Sequence, residues 1–337
     1  MVTTKFYTLK RVCTYIPYLK VFRRNYVKGI AQSKLRDIHP YKKIHPWKSL
    51  QEFSEDLLSN IIYIKDGLVA LNKPYGIRCS KPLIRNTCNN IPNGVDYAIK
   101  DALPYICDQL NYSNLIVVRC PERYMSGVTL LAADENVERA VNLAFVHSKF
   151  FANSYWVITV GVPRKLEDKH RLGMRLISNS TSNSKRATII TSWSNSDEKY
   201  GRIKLLKIDY KVLSSSTFNL CSLLEIKSST EKWHAIRLFS STFLYSPVLG
   251  DNICASQIQK VGDTFLKIDP FLVQPAPLKL DKKILEQLYV SPMHQTIIPA
   301  HIHLKSVVLP MFFGNTLTIE APLWPHFDWT CKQLELI

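Results

Sequence analysis

Residues 117–132 read Val-Val-Arg-Cys-Pro-Glu-Arg-Tyr-Met-Ser-Gly-Val-Thr-Leu-Leu-Ala. Asn114 to Val118 and Val128 to Ala132 have the length and apolar character of buried strands. Between them the chain carries Arg119, Glu122 and Arg123 in a loop. A loop held by two buried strands is a rigid mount for charged side chains, and such loops commonly bear catalytic groups. By itself, Glu122 beside Arg123 also fits a surface ion pair of small energetic weight.

Working outward, the spacing of Leu50, Phe53, Leu57 and Leu58 predicts a helix over 49–60. The period then changes to that of a β-hairpin: Ile61 to Ile64, an Asp66-Gly67 turn, and Leu68 to Leu71. Helices are expected over Val95 to Leu110 and Asn136 to His147, with a strand over Ser154 to Val160. Further strands are expected over Lys185–Trp193, Ile203–Val212, Phe218–Ile226 and Thr316–Glu320, with a Ser/Asn-rich loop between Leu176 and Lys185. Strands follow one another without regular helical crossovers, which predicts an α+β fold with a mixed, mostly antiparallel central sheet flanked by helices. No GxGxxG, GxxxxGK[ST] or HExxH occurs, so nucleotide-loop and metalloprotease readings lack residues to carry them.

The 337 residues carry 44 Lys or Arg against 27 Asp or Glu, a balance of +17 that favours a polyanionic partner. Residues 1–36 hold nine of the basic groups and no acid, with apolar residues interleaved. This is the composition of a mitochondrial transit peptide, although a basic RNA-binding arm or a membrane-surface helix uses the same ingredients. A Pro- and His-marked linker to Trp47 reads as extended chain, so residues 1–45 are expected to be presequence and linker and 46–337 the folded domain. No run of 18 apolar residues exists, so no membrane span is expected. The eight cysteines stand singly, which fits a reducing compartment and neither a disulfide scaffold nor a zinc ribbon.

Four other segments stand out. Asn72-Lys73-Pro74-Tyr75-Gly76 ends a strand in a rigid turn and places a lysine at its mouth, where a phosphate or plain solvent could meet it. Tyr155 on its strand is a core aromatic or a stacking platform for a base. Glu231 to Arg237 and Pro247-Val248-Leu249-Gly250-Asp251 each close a strand-like run. His294, His301 and His303 lack the cysteine or carboxylate spacing that would complete a metal site, and Cys120 has no assignable base partner.

Taken in order over some 270 residues, these five segments resemble the RluA-type family of RNA pseudouridine synthases, and among them the mitochondrial members. Asn72, Lys73, Pro74 and Gly76 match the family's opening Asn-Lys-Pro-x-Gly. Counting back from Ser126 and Gly127 through the catalytic signature His-Arg-Leu-Asp-Arg-x-Thr-Ser-Gly, Arg123 matches the second arginine and Glu122 takes the aspartate's place. Tyr155 matches the family tyrosine, with Asn153 where a lysine would stand. His234, Ile236 and Arg237 match Gly-Arg-x-His-Gln-Ile-Arg, from which Glu231, Lys232 and Ala235 depart; Pro247, Gly250 and Asp251 match Pro-x-x-Gly-Asp.

The resemblance implies a reaction in which uracil is detached from ribose C1′, turned, and rejoined through C5, with no metal or cofactor, by a monomer acting on RNA in the mitochondrial matrix. It implies Glu122 as the essential carboxylate, Arg237 as the guanidinium paired with it, and Tyr155 stacked on the base. Ile236 would pack against the base, and His234 would line the site. Lys73 and Arg123 would hold phosphates. Glutamate adds one methylene and moves the carboxylate by roughly 1 Å, a misplacement that can cost about a hundredfold in rate. A catalytically silent RNA-binding protein acting in ribosome assembly is the alternative the same motifs allow.

Overall fold

Asp66 and Gly67 both take positive φ, 52° and 74°, which is the backbone a two-residue hairpin turn requires. They join β1 (Ile61–Lys65) to β2 (Leu68–Lys73) beside the sheet's first helix, α1 (Leu50–Ser59). In this computed structural model residues 39–81, 95–148, 151–179, 184–261 and 264–337 are described, and the basic arm expected as a presequence lies outside them. The described residues belong to one compact unit, Ile38–Ile337.

After β2 come α2 (Ile99–Leu110), β3 (Ile116–Arg119), β4 (Ser126–Ala132) and α3 (Glu135–His147). Four strands follow with one short helix among them: β5 (Asn153–Val160), β6 (Glu167–Ser178), β7 (Lys185–Ile190), α4 (Asn195–Lys199) and β8 (Lys204–Ser215). The chain continues through β9 (Cys221–Ser228), α5 (Ala235–Thr242), the small hairpin β10 (Ile258–Val261) and β11 (Thr264–Lys267), and α6 (Lys282–Gln287). It closes with β12 (Ile302–Phe312), β13 (Asn315–Glu320) and α7 (Pro325–Gln333).

The main sheet runs β1-β2-β4-β12-β5-β9-β8-β6-β7, with β3 on β4 and β13 on β12. Every pairing is antiparallel except β12 with β4. This is the mixed, mostly antiparallel α+β architecture expected from the strand-rich sequence.

β2 and β4 are buried on both faces, and the period-2 alternation of their side chains explains how. Val69, Leu71 and Leu131 meet α1 and α2 through Phe53, Leu57, Ile99 and Ile106. Leu68, Ala70, Leu130 and Ala132 meet α3 through Val137, Val141 and Ala144 on the other side. Across the sheet α6 and α7 cover Ile158, Cys221 and Leu223. Tyr41 enters that same cluster and its hydroxyl meets Thr330 at 2.8 Å, so the segment read as an extended linker holds a 3-10 turn, Pro40–Lys43, packed on the C-terminal helix.

Gly127 is the point of closest approach between strands. At φ +116° a Cβ there would stand 2.2 Å from the Leu304 carbonyl oxygen of β12, so the parallel β4–β12 contact requires glycine.

Among the elements that the sequence does not announce, two escape for clear physical reasons. β6 begins Glu-Asp-Lys-His-Arg and reaches past the core, so it shows no apolar alternation. It is matched to β8 partly by charge, as in Lys169 with Asp209 at 3.2 Å. Its second half includes residues 176–178, expected as loop, paired with 185–187 of β7. Helix α5 is only eight residues long, about two turns, and buried at every position, so its polar residues lie inside the fold and its sequence is too short to announce a helical period.

Candidate active site

The turn Pro74-Tyr75-Gly76 and the loop of Glu122 are fastened to each other before any catalytic geometry arises. Gly76 N donates to Arg123 O at 2.8 Å and Arg123 Nε donates back to Gly76 O at 2.9 Å. Lys73 supplies the third tie. Its Nζ donates to the carbonyls of Pro74 at 3.2 Å, Ile77 at 3.0 Å and Met125 at 2.5 Å, and its side chain is fully buried.

Lys73 therefore does not face a phosphate, contrary to the expectation from its place at a turn. The turn leaves carbonyls inside the fold, and a long cationic side chain folded back beneath it satisfies them. Burial lowers its pKa to about 8. Arg123 is half-buried and spends its Nε on Gly76, so it too serves the junction of the two loops.

Thus anchored, the loop turns through Met125 N to Glu122 O at 2.9 Å and presents the Glu122 side chain partly exposed, at 29%. His234 Nδ1 lies 3.2 Å from Glu122 Oε2 and 2.9 Å from the Tyr124 hydroxyl. Burial pushes the Tyr124 phenol well above the usual range, and the nearby Glu122 carboxylate adds to the rise. Trp233 and His234, at φ 61° and 58°, hold left-handed backbone just ahead of α5. For residues with a Cβ this costs roughly 1–2 kcal/mol each.

Arg237, on α5, is 2% exposed. Its Nη1 lies 3.4 Å from Asp251 Oδ1, and its Cζ sits 3.4 Å from the centre of the Tyr124 ring. The expected ion pair with Glu122 is thus replaced by one with Asp251, and Tyr124 is the group that Arg237 and Glu122 share. Asp251 is set in place by Gly250, where a Cβ would meet Pro299 O at 2.1 Å.

Tyr155 lies on β5 with its ring fully buried. Its hydroxyl donates to Glu231 Oε1 in a very short hydrogen bond, while Asn153 Nδ2 donates to the Tyr155 oxygen at 3.0 Å. Ile236 is fully buried in the core cluster that holds Tyr155. Sequence reasoning marked Glu231 only as a departure from the motif, yet its carboxylate faces Tyr155 and lies close to the backbone of Glu122. Its signal was there to be read: an acid at a motif glycine, directly after a buried strand.

Beside these groups runs a groove of about 850 Å³, lined by Arg119, Phe145, Asn153, Thr230, Glu231 and Lys232 among others. His301 and His303, weighed as metal ligands, are buried and hydrogen-bonded to Thr330 at 2.8 Å and Ser126 at 2.9 Å. No cluster of metal-ligating side chains occurs among the described residues. Nor is any helix among them long and apolar enough to cross a membrane.

No protein-family model matches the chain. A zebrafish protein described as pseudouridylate synthase RPUSD4, mitochondrial, is 26% identical over 328 residues, covering 93% of this chain and 81% of that protein. The mouse mitochondrial mRNA pseudouridine synthase Rpusd3 is 26% identical over 295 residues, covering 85% and 80%. The chain is a homologue of the mitochondrial RluA-type pseudouridine synthases. Its fold agrees: human RNA pseudouridylate synthase domain containing 4 superposes with a TM-score of 0.64, at 21% identity, over 85% of the homologue and 97% of that chain. The homologue's fold is accordingly that of a pseudouridine synthase domain.

Proposed function

We propose that this chain isomerises uridine to pseudouridine in mitochondrial RNA, as a monomer in the matrix and without metal or cofactor, and that Glu122 is its essential carboxylate. Glu122 carries the reading. It takes the place of the family aspartate, is open to solvent on one side, and shares its surroundings with Tyr155, Glu231, His234 and Tyr124. The mitochondrial synthase relatives and the basic arm support the RNA substrate and the compartment.

In this reaction the C1′–N1 bond breaks, the uracil turns, the C1′–C5 bond forms, and the proton lost from C5 is balanced by one gained at N1, so that no co-reactant is consumed. Glu122 directly follows Cys120 and Pro121 of the groove wall, and its contact with His234 aims it. Arg237 brings buried N–H donors: its Nε and Nη1 have no hydrogen-bond acceptor among the described residues, and a substrate oxygen is a fitting partner.

The target base must leave its stack, at a cost of a few kcal/mol. Tyr155 is its natural platform, held at its hydroxyl by Glu231 and reached once the neighbouring residues 233–234 shift. The strained Trp233 and His234 mark that segment as the part that yields. Arg119 and Lys232 on the groove wall give RNA binding a salt dependence.

Mapping pseudouridine across organellar RNA with wild-type protein, with Glu122→Ala, and without the protein tests the proposal. Sites present only with wild type are expected; an identical map in all three would overturn it. Sites lost on removing the protein but kept by Glu122→Ala would assign the chemistry to another group or another enzyme.

A further inference from the structure

Glu231 is built into the site as fully as Glu122 and has no counterpart in the motif, where its position is a glycine. Its Oε1 accepts from the Tyr155 hydroxyl and, at 3.4 Å, from Asn153 Nδ2, both on β5. The backbone of Glu122 lies close enough to help lower the Glu231 pKa. An acid placed in this way holds the phenol oxygen of Tyr155 in one orientation, with Asn153 Nδ2 bridging that oxygen and the carboxylate. It also stands close enough to Glu122 for the two carboxylates to repel each other.

We propose that Glu231 is a second acid of this site, a positioning residue that holds the Tyr155 hydroxyl and shares the site's negative charge with Glu122. The groups facing it make the sign predictable. Tyr155 and Asn153 face it from β5, Glu122 from the β3–β4 loop and Lys73 from the end of β2. Cys120 and Arg119 stand on the neighbouring groove wall, and Lys232 follows it in the chain.

Burial and the Glu122 charge raise the Glu231 pKa, while the Tyr155 hydrogen bond and Lys73 lower it, leaving it at about 7. Above that pH the carboxylate accepts the phenol hydrogen and fixes the platform. Below it Glu231 carries its own proton, and the single-acceptor arrangement at Tyr155 is lost.

The inference rests on the pseudouridine-synthase reading for its kinetic test and stands apart from it for its spectroscopic one. In turnover on mitochondrial RNA, the wild-type kcat is expected to fall as pH drops through about 7. Glu231→Gln keeps an acceptor for Tyr155 but cannot titrate, so this limb should vanish. Glu231→Ala should lower kcat on the order of tenfold or more with KM little changed, through loss of a charged hydrogen-bond partner. A Glu231→Gln variant that keeps the wild-type limb would overturn the proposal.

Independently of activity, carbon-13 NMR of protein labelled at its glutamate carboxyls should show one carboxyl titrating near 7, absent from Glu231→Gln. Titration of every glutamate in the ordinary range near 4.5 would overturn the proposal even in an active enzyme. Wild-type protein without turnover on any mitochondrial RNA, but with that NMR signal present, would instead reject the functional reading and leave the Glu231–Tyr155 pair standing.

Discussion

The guanidinium of Arg237 lies 3.4 Å from Asp251 and over the ring of Tyr124, so the buried cation of the site is matched to a carboxylate in the next motif of the sequence. Glu122 is left to His234. The pairing follows from depth: Arg237 and Asp251 are both almost wholly buried, whereas Glu122 and His234 share a rim position about one-third exposed. Charges taken out of water must be compensated at once, and those at the rim are compensated partly by solvent.

Breaking the deep pair should therefore be costly to the fold. Asp251→Asn leaves Arg237 buried without a counter-charge, and already two of its nitrogens lack hydrogen-bond acceptors among the described residues. A loss of about 3–5 kcal/mol in urea unfolding is expected. Glu122→Gln, at the rim, should change stability by less than about 1 kcal/mol. Equal costs for the two variants would contradict this division.

Lys73 separates structural from RNA-facing lysines. Lys73→Met removes the donor from three carbonyls at once, so destabilisation of at least about 2 kcal/mol is expected. The salt dependence of RNA binding by the folded fraction should stay unchanged, because the ammonium meets no phosphate. For Lys232, which is exposed on the groove, the opposite holds: Lys232→Met should leave stability alone and reduce the salt slope by about one. A shallower slope for Lys73→Met would return that residue to the RNA.

How much of this could be read beforehand varies with the kind of residue. The 61–71 hairpin with its Asp66-Gly67 turn, and the helices α1 and α3, have strong periods or turn signals and were legible. The start of α2 was expected four residues early, at Val95, because apolar spacing continues into residues that precede the helix. Order and spacing also brought Glu122, His234 and Tyr155 to one neighbourhood. What order cannot tell is where a long side chain sends its charged end. Lys73 and Arg237 reach partners chosen by burial, and Glu231 acquires its place from the path of a loop.

Buried histidines should set the acid side of the stability curve. Burial lowers the pKa of His301 to about 4 and of His303 to about 3, and holds His326 well below its ordinary 6.5. The unfolded chain takes up these protons near 6.5 and the folded chain does not. The stability they contribute is complete above 6.5 and lost as pH falls through that value toward the folded pKa values. Glu231 acts in the opposite sense between 4.5 and about 7, because the folded chain holds its proton longer. With three histidines against one glutamate, and the lowered thiol of Cys79 at about 6 acting with the histidines, the urea midpoint should drop between about pH 7.5 and 5. His303→Gln should flatten that drop; a slope unchanged by the substitution would place the acid sensitivity elsewhere.

Cys79 should be the reactive thiol among the described residues. A hydrogen bond from Cys120 lowers its pKa to about 6 against the effect of burial, and the charges of Lys100 and Lys73 pull the same way. Cys221 and Cys331 are pushed by burial to about 12, and Cys120 is itself raised well above the usual range. Because the thiolate is the nucleophile, iodoacetamide at neutral pH should label Cys79 first, read by peptide mass spectrometry. Cys120→Ala removes the hydrogen-bond donor, so the pH midpoint for labelling Cys79 should move upward. Labelling of Cys79 no faster than Cys221 would mean that its thiolate is not held by Cys120, and a midpoint indifferent to Cys120→Ala would assign the shift to the lysines alone.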